Sequence, residues 1–339
     1  MSNLEEVGRT GTATIGKSMV PTVTNLNVTS ILTGKFPLDH GITGNFYFDK
    51  LSRSEVYMDS PKFLRCNTLL EEASKKGLKT LFLTVKEKLK RLLCRGATTS
   101  FSVESPPKSI TQRFGRPPDI YSPDSTIWLL DTSLKILKKA SCDLVCIATT
   151  DYVPHKYGPK SVEAKEYMEK IDDKIGLFIE EDVIFGLIAD HGMNDKHVKI
   201  DLEKALSEEG VLARAISVIK DEYVRHHQNL GGAAYLYFEG DFNKPINILR
   251  ELDGVESVLV KDEAKSKYML PPDRIGDLLV LGVKGVVFGP VKRGLYEDVQ
   301  LRSHGSLYER EIPFITNQRI DAVDNVFNKD AFRYLRQKS

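Results

Sequence analysis

Cysteine is scarce in this chain: four of 339 residues, at Cys66, Cys94, Cys142 and Cys146. None forms a C-x-x-C pair or another zinc-knuckle spacing, which excludes a cysteine-built metal site. Cys142 and Cys146 flank a β-like run and read as buried free thiols. The sequence shows no signal peptide, so a reducing cytoplasm is the expected compartment. Long apolar runs are also lacking; none approaches the roughly 18–20 residues of a membrane span. Charge of one sign is absent too. A net charge of +1 gives no global reason to expect nucleic acid or a membrane surface as partner, so any anion affinity must be local. Internal repeats and low-complexity segments are missing as well.

What is present is ordinary for a globular protein. Hydrophobic residues make up 41% and charged residues 28%, enough for one large domain or a core plus a smaller one. Short β-branched runs alternate with helical patterns. "LKTLFLTV" (78–85), "DLVCIATT" (143–150) and "DVIFGLIA" (182–189) read as strands. "KEKLKRLL" (86–93) and "SVEAKEYMEKIDDKIGLFIEE" (161–181) read as helices. The alternation predicts an α/β fold, a mostly parallel central sheet with helices on both faces. Between 199 and 295 the texture changes to hairpin-like runs punctuated by Gly and Pro. This predicts a smaller inserted α+β cap, with 1–198 and 296–339 as the core.

Functional groups of such sheets gather at strand carboxyl ends. Asp151 ends one strand, and His155 follows in "DYVPHKYGP". Asp190 ends another, with His191 beside it in "ADHGM", and His304 precedes a glycine in "SHG". Aspartate with imidazole suits zinc or a similar divalent ion. A strand-end cap and a surface histidine would serve Asp151 and His155 equally well. Of the seven histidines, the other four, His40, His197, His226 and His227, read as surface or core residues.

The stretch "PTVTNLNVTSILTG" (21–34) carries five hydroxyls. Thr24 sits where an extended segment turns into a helix, with Gly34 as the helix stop. There its hydroxyl and the free N–H groups of the first turn would face an anion. Alternatively, Thr24 or Asn25 is merely the N-cap. Thr29, Ser30 and Thr33 fall inside the helix, where back-bonding to the preceding turn is expected.

"VPTVTNLNVTSILTGKFPLDHGITGNFYFD", Asp-x-x-x-His before "KYGP", "ADHGM" and "SHG", in that order, resemble the type I phosphodiesterase/nucleotide pyrophosphatase group of the alkaline phosphatase superfamily. The resemblance implies an alkaline phosphatase-like fold and two divalent ions, most simply Zn2+. It makes Thr24 the nucleophile. It assigns Asp190 and His191 to the ion that also holds Thr24, and Asp151, His155 and His304 to the second ion. Asn45, in "GITGN", would bond a phosphoryl oxygen; a turn asparagine is the alternative. Within the group, "LTVKEKLKRLL", "FSVESP", "PPDRIGDLLVLG" and "LRSHGSLYEREIPFI" resemble the branch that hydrolyses phosphonoacetate. There Lys86 and Lys88 would bind the substrate carboxylate, unless they form a solvated helix face with Lys90 and Arg91.

The resemblance also implies a first strand ending in Asp-Gly, whose aspartate holds the nucleophile's metal ion. The sequence has no such segment; Glu5 and Glu6 fall in what reads as the following helix. A start assigned too late is the favoured explanation and a true truncation the other. As it stands, the chain is expected to bind the first ion poorly and to be less stable. The leading expectation is zinc-dependent C–P hydrolysis of phosphonoacetate to acetate and phosphate. The alternatives are a phosphodiesterase acting on nucleotide-like substrates and a catalytically impaired metal- or anion-binding protein. The expected partner is a small anion, with no nucleic acid and no membrane; a homodimer stays open.

Overall fold

The computed structural model describes residues 2–139, 141–221, 228–320 and 325–335; His226 and His227 lie outside them. The strand Thr80–Thr84 is buried at every position. It pairs in parallel with Thr99–Ser102 on one side and Leu144–Ala148 on the other. Its alternating side chains explain why both faces are covered. Leu81 and Leu83 pack with Leu129 of the helix Asp124–Leu137. Phe82 packs on the opposite face with Leu89, Leu92 and Leu93 of the helix Glu87–Leu93.

A second three-stranded sheet has the order Thr12–Lys17, Glu311–Thr316, Gly186–Ile188, and is antiparallel throughout. The mostly parallel sheet expected from the sequence is therefore divided in two, and only the Thr80–Thr84 part is parallel. Leu144–Ala148 and Gly186–Ile188 are each the edge strand of their own sheet. The strand expected over 182–189 is short because the acidic run Glu180–Asp182 still belongs to the end of the helix Val162–Ile179. Glu180 is its C-cap and Asp182 takes a left-handed φ of 52°.

The first described element is the helix Ser2–Thr10, which carries Glu5 and Glu6. The carboxylate of Asp172 caps its start, accepting bonds from the Leu4 and Asn3 N–H groups at 2.8 and 3.2 Å.

Residues 213–282 supply a four-stranded antiparallel sheet in the order Val255–Val260, Leu278–Gly282, Ala233–Phe238, Ala213–Ser217. One face packs on Leu202, Leu206 and Leu249 of two helices. The other packs Tyr235, Leu279 and Leu281 against Met19, Val20, Val23 and Leu26. The same segment thus leads into the helix Thr24–Thr33 and forms the floor beneath this sheet. Val286–Phe288 joins a further sheet with Asn194–Ile200 and Tyr296–Ser303.

All four cysteines are free. Cys146 is buried, and burial pushes its thiol up to about 12, whereas Cys142, expected to be buried, is half-exposed. Among the described residues no helix is long and apolar enough to cross a membrane.

Candidate active site

The helix Thr24–Thr33 begins without a side-chain cap: Val23 takes the N-cap position in an extended conformation. The Thr24 hydroxyl is therefore not used as a cap and instead meets His191 Nε2 at 3.1 Å. Along the helix, Thr29, Ser30 and Thr33 donate to the carbonyls of Asn25, Leu26 and Thr29, the expected back-bonding. Gly34 ends it at φ 65°, its N–H bonded to Ser30 O. Asn27 anchors the helix start, its Oδ1 accepting from Met19 N at 2.7 Å and from Asn328 Nδ2 at 2.8 Å. Thr22 pins the facing loop: its hydroxyl donates to Ser306 O and accepts from Gly305 N.

Asp151 and Asp190 follow the edge strands Leu144–Ala148 and Gly186–Ile188. Asp151 Oδ2 lies 3.0 Å from His155 Nε2 and 3.9 Å from His304 Nε2. Asp190 Oδ2 lies 3.4 Å from His191 Nε2. One ring nitrogen of each histidine is fixed by a backbone carbonyl. His155 Nδ1 meets Arg302 O at 2.8 Å, His191 Nδ1 meets Gly192 O at 2.9 Å, and His304 Nδ1 meets Thr22 O at 2.6 Å. A carbonyl can only accept, so each Nδ1 carries the proton and each Nε2 keeps its lone pair toward the centre. Burial, then His191 and His155, hold His304 well below the usual imidazole value, so it stays neutral.

This donor set fits divalent ions. Asp151, His155 and His304 offer one donor atom each within 4.8 Å of one another. Thr24, Asp190 and His191 form an adjoining group with one carboxylate and one imidazole. Among the described residues no third acidic or imidazole group completes that second cluster.

The His304 turn is supported from behind. A buried ion pair joins Lys196 Nζ to Glu309 Oε1 at 2.8 Å. Glu309 Oε2 accepts from the Ser306 N–H and hydroxyl. Burial would raise the Glu309 carboxyl, but Lys196 and the donors around it hold it below its ordinary value. Gly305, at φ 112°, lets the turn pass close to the neighbouring sheet: a Cβ there would sit 3.0 Å from Gly232 N.

Thr24, Asn45, Lys86, Lys88, Asp151 and His304 line one narrow pocket of about 20 Å3. Lys86 Nζ lies 3.2 Å from Asp151 Oδ1. Lys88 is buried and paired with Asp221, so it is no part of a solvated helix face. Burial lowers its ammonium pKa against the pull of Asp221. Asn45 Nδ2 donates to Lys220 O at 2.8 Å and reaches Asp221 Oδ2 at 3.4 Å, while its Oδ1 has no partner among the described residues. Tyr57 also donates to Asp221, at 3.2 Å. Asp221 was not legible in the sequence: it sits in a charged run, "IKDEYVRHH", and its partner Lys88 is 133 residues away. Of the remaining histidines, His40 is a core residue bonded to Ser30 at 2.9 Å and His197 is exposed.

The strand-end donors, the hydroxyl at a helix start and the cationic pocket together define a hydrolase built on an alkaline phosphatase-like fold. The sequence pattern of the type I phosphodiesterase / nucleotide pyrophosphatase family matches residues 1–306, and the chain belongs to that family. The structure is similar to phosphonoacetate hydrolase from Sinorhizobium meliloti 1021, solved with phosphonoformate. The TM-score is 0.91 at 32% identity, covering 99% of this chain and 89% of that one. The same enzyme solved with phosphonoacetate gives a TM-score of 0.92 at 32% identity, with the same coverage of both chains. Human ectonucleotide pyrophosphatase / phosphodiesterase 5 shares the fold at 16% identity and a TM-score of 0.72, covering 98% of this chain and 88% of that one. A stretch of 120 residues, 35% of this chain, is 31% identical to alkaline phosphatase PafA of Elizabethkingia meningoseptica and spans 21% of that protein's length.

Proposed function

We propose that this protein hydrolyses the carbon–phosphorus bond of phosphonoacetate, giving acetate and phosphate. The observation that supports the reading is that Thr24, Asn45, Lys86 and Lys88 line one pocket. A substrate with a phosphonate at one end and a carboxylate at the other suits a pocket that offers a hydroxyl nucleophile and two ammonium groups. The similarity to phosphonoacetate hydrolase supports the same reading.

Asp190 and His191 would hold one divalent ion together with Thr24, and Asp151, His155 and His304 a second, most simply zinc. When bound, such ions lower the pKa of a hydroxyl and offset charge on phosphoryl oxygens. The contact with His191 fixes the Thr24 rotamer, so that its oxygen faces the pocket. Thr24 Oγ1 gives up its proton to water in the pocket and forms a bond to phosphorus as the P–C bond breaks. Its electron pair leaves on the methylene carbon, delocalised into the carboxylate. Lys86, exchanging Asp151 for the substrate, and Lys88 stabilise the charge that develops there. The carbon takes that proton back from water to give acetate, and a further water hydrolyses the phosphothreonine, restoring the Thr24 hydroxyl and releasing phosphate. The Asn45 amide positions a phosphoryl oxygen by releasing its bond to Lys220 O or Asp221. Residues 199–295 serve as the cap, which contributes Ile219 and Asp221 from the loop that follows Ala213–Ser217. Four free thiols favour a cytoplasmic location.

A second reading has its own observation. The Thr24 group holds a single carboxylate and a single imidazole, which favours a protein that binds one ion well and turns over poorly. The test is phosphate release from phosphonoacetate with added zinc, alongside metal analysis. Full activity in Thr24→Ala would end the nucleophile assignment. Unchanged KM in both Lys86→Ala and Lys88→Ala would end the carboxylate role. A single bound ion without turnover would select the second reading, and faster cleavage of an aryl phosphodiester would redirect the substrate class.

A further inference from the structure

A second cavity borders the segment that leads to Thr24. Its volume is about 160 Å3, and Met19, Val20, Phe36, Tyr268, Arg310 and Phe327 line it. Two of its walls are aromatic: Phe36 and Phe327 meet edge to face, with ring centroids 5.9 Å apart. The Arg310 guanidinium stands 5.7 Å over the Phe327 ring. Its Nε donates to Ser18 O at 3.2 Å, and among the described residues no carboxylate pairs with it. A half-buried guanidinium is normally paired with an acid, because its charge is otherwise poorly compensated.

The second polar group is Tyr268. It is 7% exposed, and its hydroxyl has no hydrogen-bond partner among the described residues. Buried tyrosine hydroxyls ordinarily find one. Lys267, exposed and seated 5.3 Å from the Tyr268 ring, adds a second positive charge at the solvent side.

We infer that this cavity is a binding site for a small aromatic carboxylate, separate from the Thr24 pocket. The ring would pack against Phe36 and Phe327, and the carboxylate would accept from the free guanidinium N–H groups of Arg310 and from the Tyr268 hydroxyl. Two parallel N–H donors and one O–H donor satisfy a carboxylate well. An uncharged ring would leave the guanidinium unpaired, and a bare inorganic anion would leave the aromatic walls unfilled. The site touches both halves of the catalytic region. Ser18 N and its hydroxyl donate to Arg310 O, tying the segment before Thr24 to the segment after His304. The inference does not depend on the reaction proposed above.

Fluorobenzoate followed by fluorine NMR tests it on the full chain. Saturable binding below about 1 mM is expected, unaffected by saturating phosphonoacetate. Arg310→Met should weaken it by about tenfold or more, and Tyr268→Phe by about three- to tenfold. Tyr268→Phe removes only a hydroxyl without a partner among the described residues, so it decides the matter if Arg310→Met does not fold. Fluorobenzyl alcohol should not saturate in the same range. Absence of saturation, displacement by phosphonoacetate, or wild-type affinity in a folded variant would each overturn the assignment.

Discussion

The imidazoles of His191 and His304 lie face to face, with centroids 3.7 Å apart and planes 12° apart. Through this stack the Thr24 group and the Asp151 group become one electrostatic unit. Two imidazolium cations at that distance repel strongly, and burial already keeps His304 neutral. His304→Ala removes a donor from one group and the stacking surface from the other. Phosphonoacetate turnover should fall by more than about 100-fold, beyond the usual cost of losing an outer-shell partner. Bound metal, measured on the same samples, should fall with it.

Asp221 opposes the effect of burial on the Lys88 ammonium. Asp221→Asn preserves shape but removes the charge and one of the two acceptor oxygens, so the ammonium is favoured less. KM for phosphonoacetate should rise by about tenfold, with a smaller change in kcat. Steady-state kinetics that show kcat falling alone would contradict this role.

Lys196 and Glu309 are fully buried together. Lys196→Met leaves a carboxylate in the interior without its cation and should cost about 3–5 kcal/mol in urea unfolding. Adding Glu309→Gln should recover most of that loss, because the amide oxygen still accepts from Ser306. A double variant as unstable as the single one would show that packing, not charge, is the source.

His40 gives the acid limb of stability a defined position. Burial, with a smaller contribution from Arg274, pushes its pKa down to about 3. The unfolded chain takes up this proton near the ordinary value of 6.5, while the folded protein does not. Its contribution is therefore fully present above pH 6.5, declines by about 1.4 kcal/mol per pH unit below it, and levels off near pH 3. His40→Gln should flatten this part of the profile in urea titrations run at successive pH values.

Much of this site could be read along the chain, because strand ends announce themselves. "DLVCIATT" runs out at Asp151 and "DVIFGLIA" at Asp190, and the structure brings both beside the three histidines that the motifs single out. Thr24 was legible for the same reason: its helix has a glycine stop, and its interior hydroxyls are used up in back-bonds. The burial of Lys88 was not legible. "KEKLKRLL" has the charge pattern of a solvated helix, and only the distant Asp221 makes it otherwise. The division of the central sheet was hidden as well. Periodicity marks which residues are extended, but says nothing about which strand lies beside which.

That division leaves Leu144–Ala148 and Gly186–Ile188 with one backbone edge each unpaired among the described residues. Their side chains are mostly half-exposed, unlike the wholly buried Thr80–Thr84. Such edges accept an added strand, from any chain that offers one. They should exchange amide hydrogens faster than Thr80–Thr84, and they are where self-association would start as concentration rises. Because each edge leads toward Asp151 or Asp190, a strand captured there would be felt first at those two carboxylates.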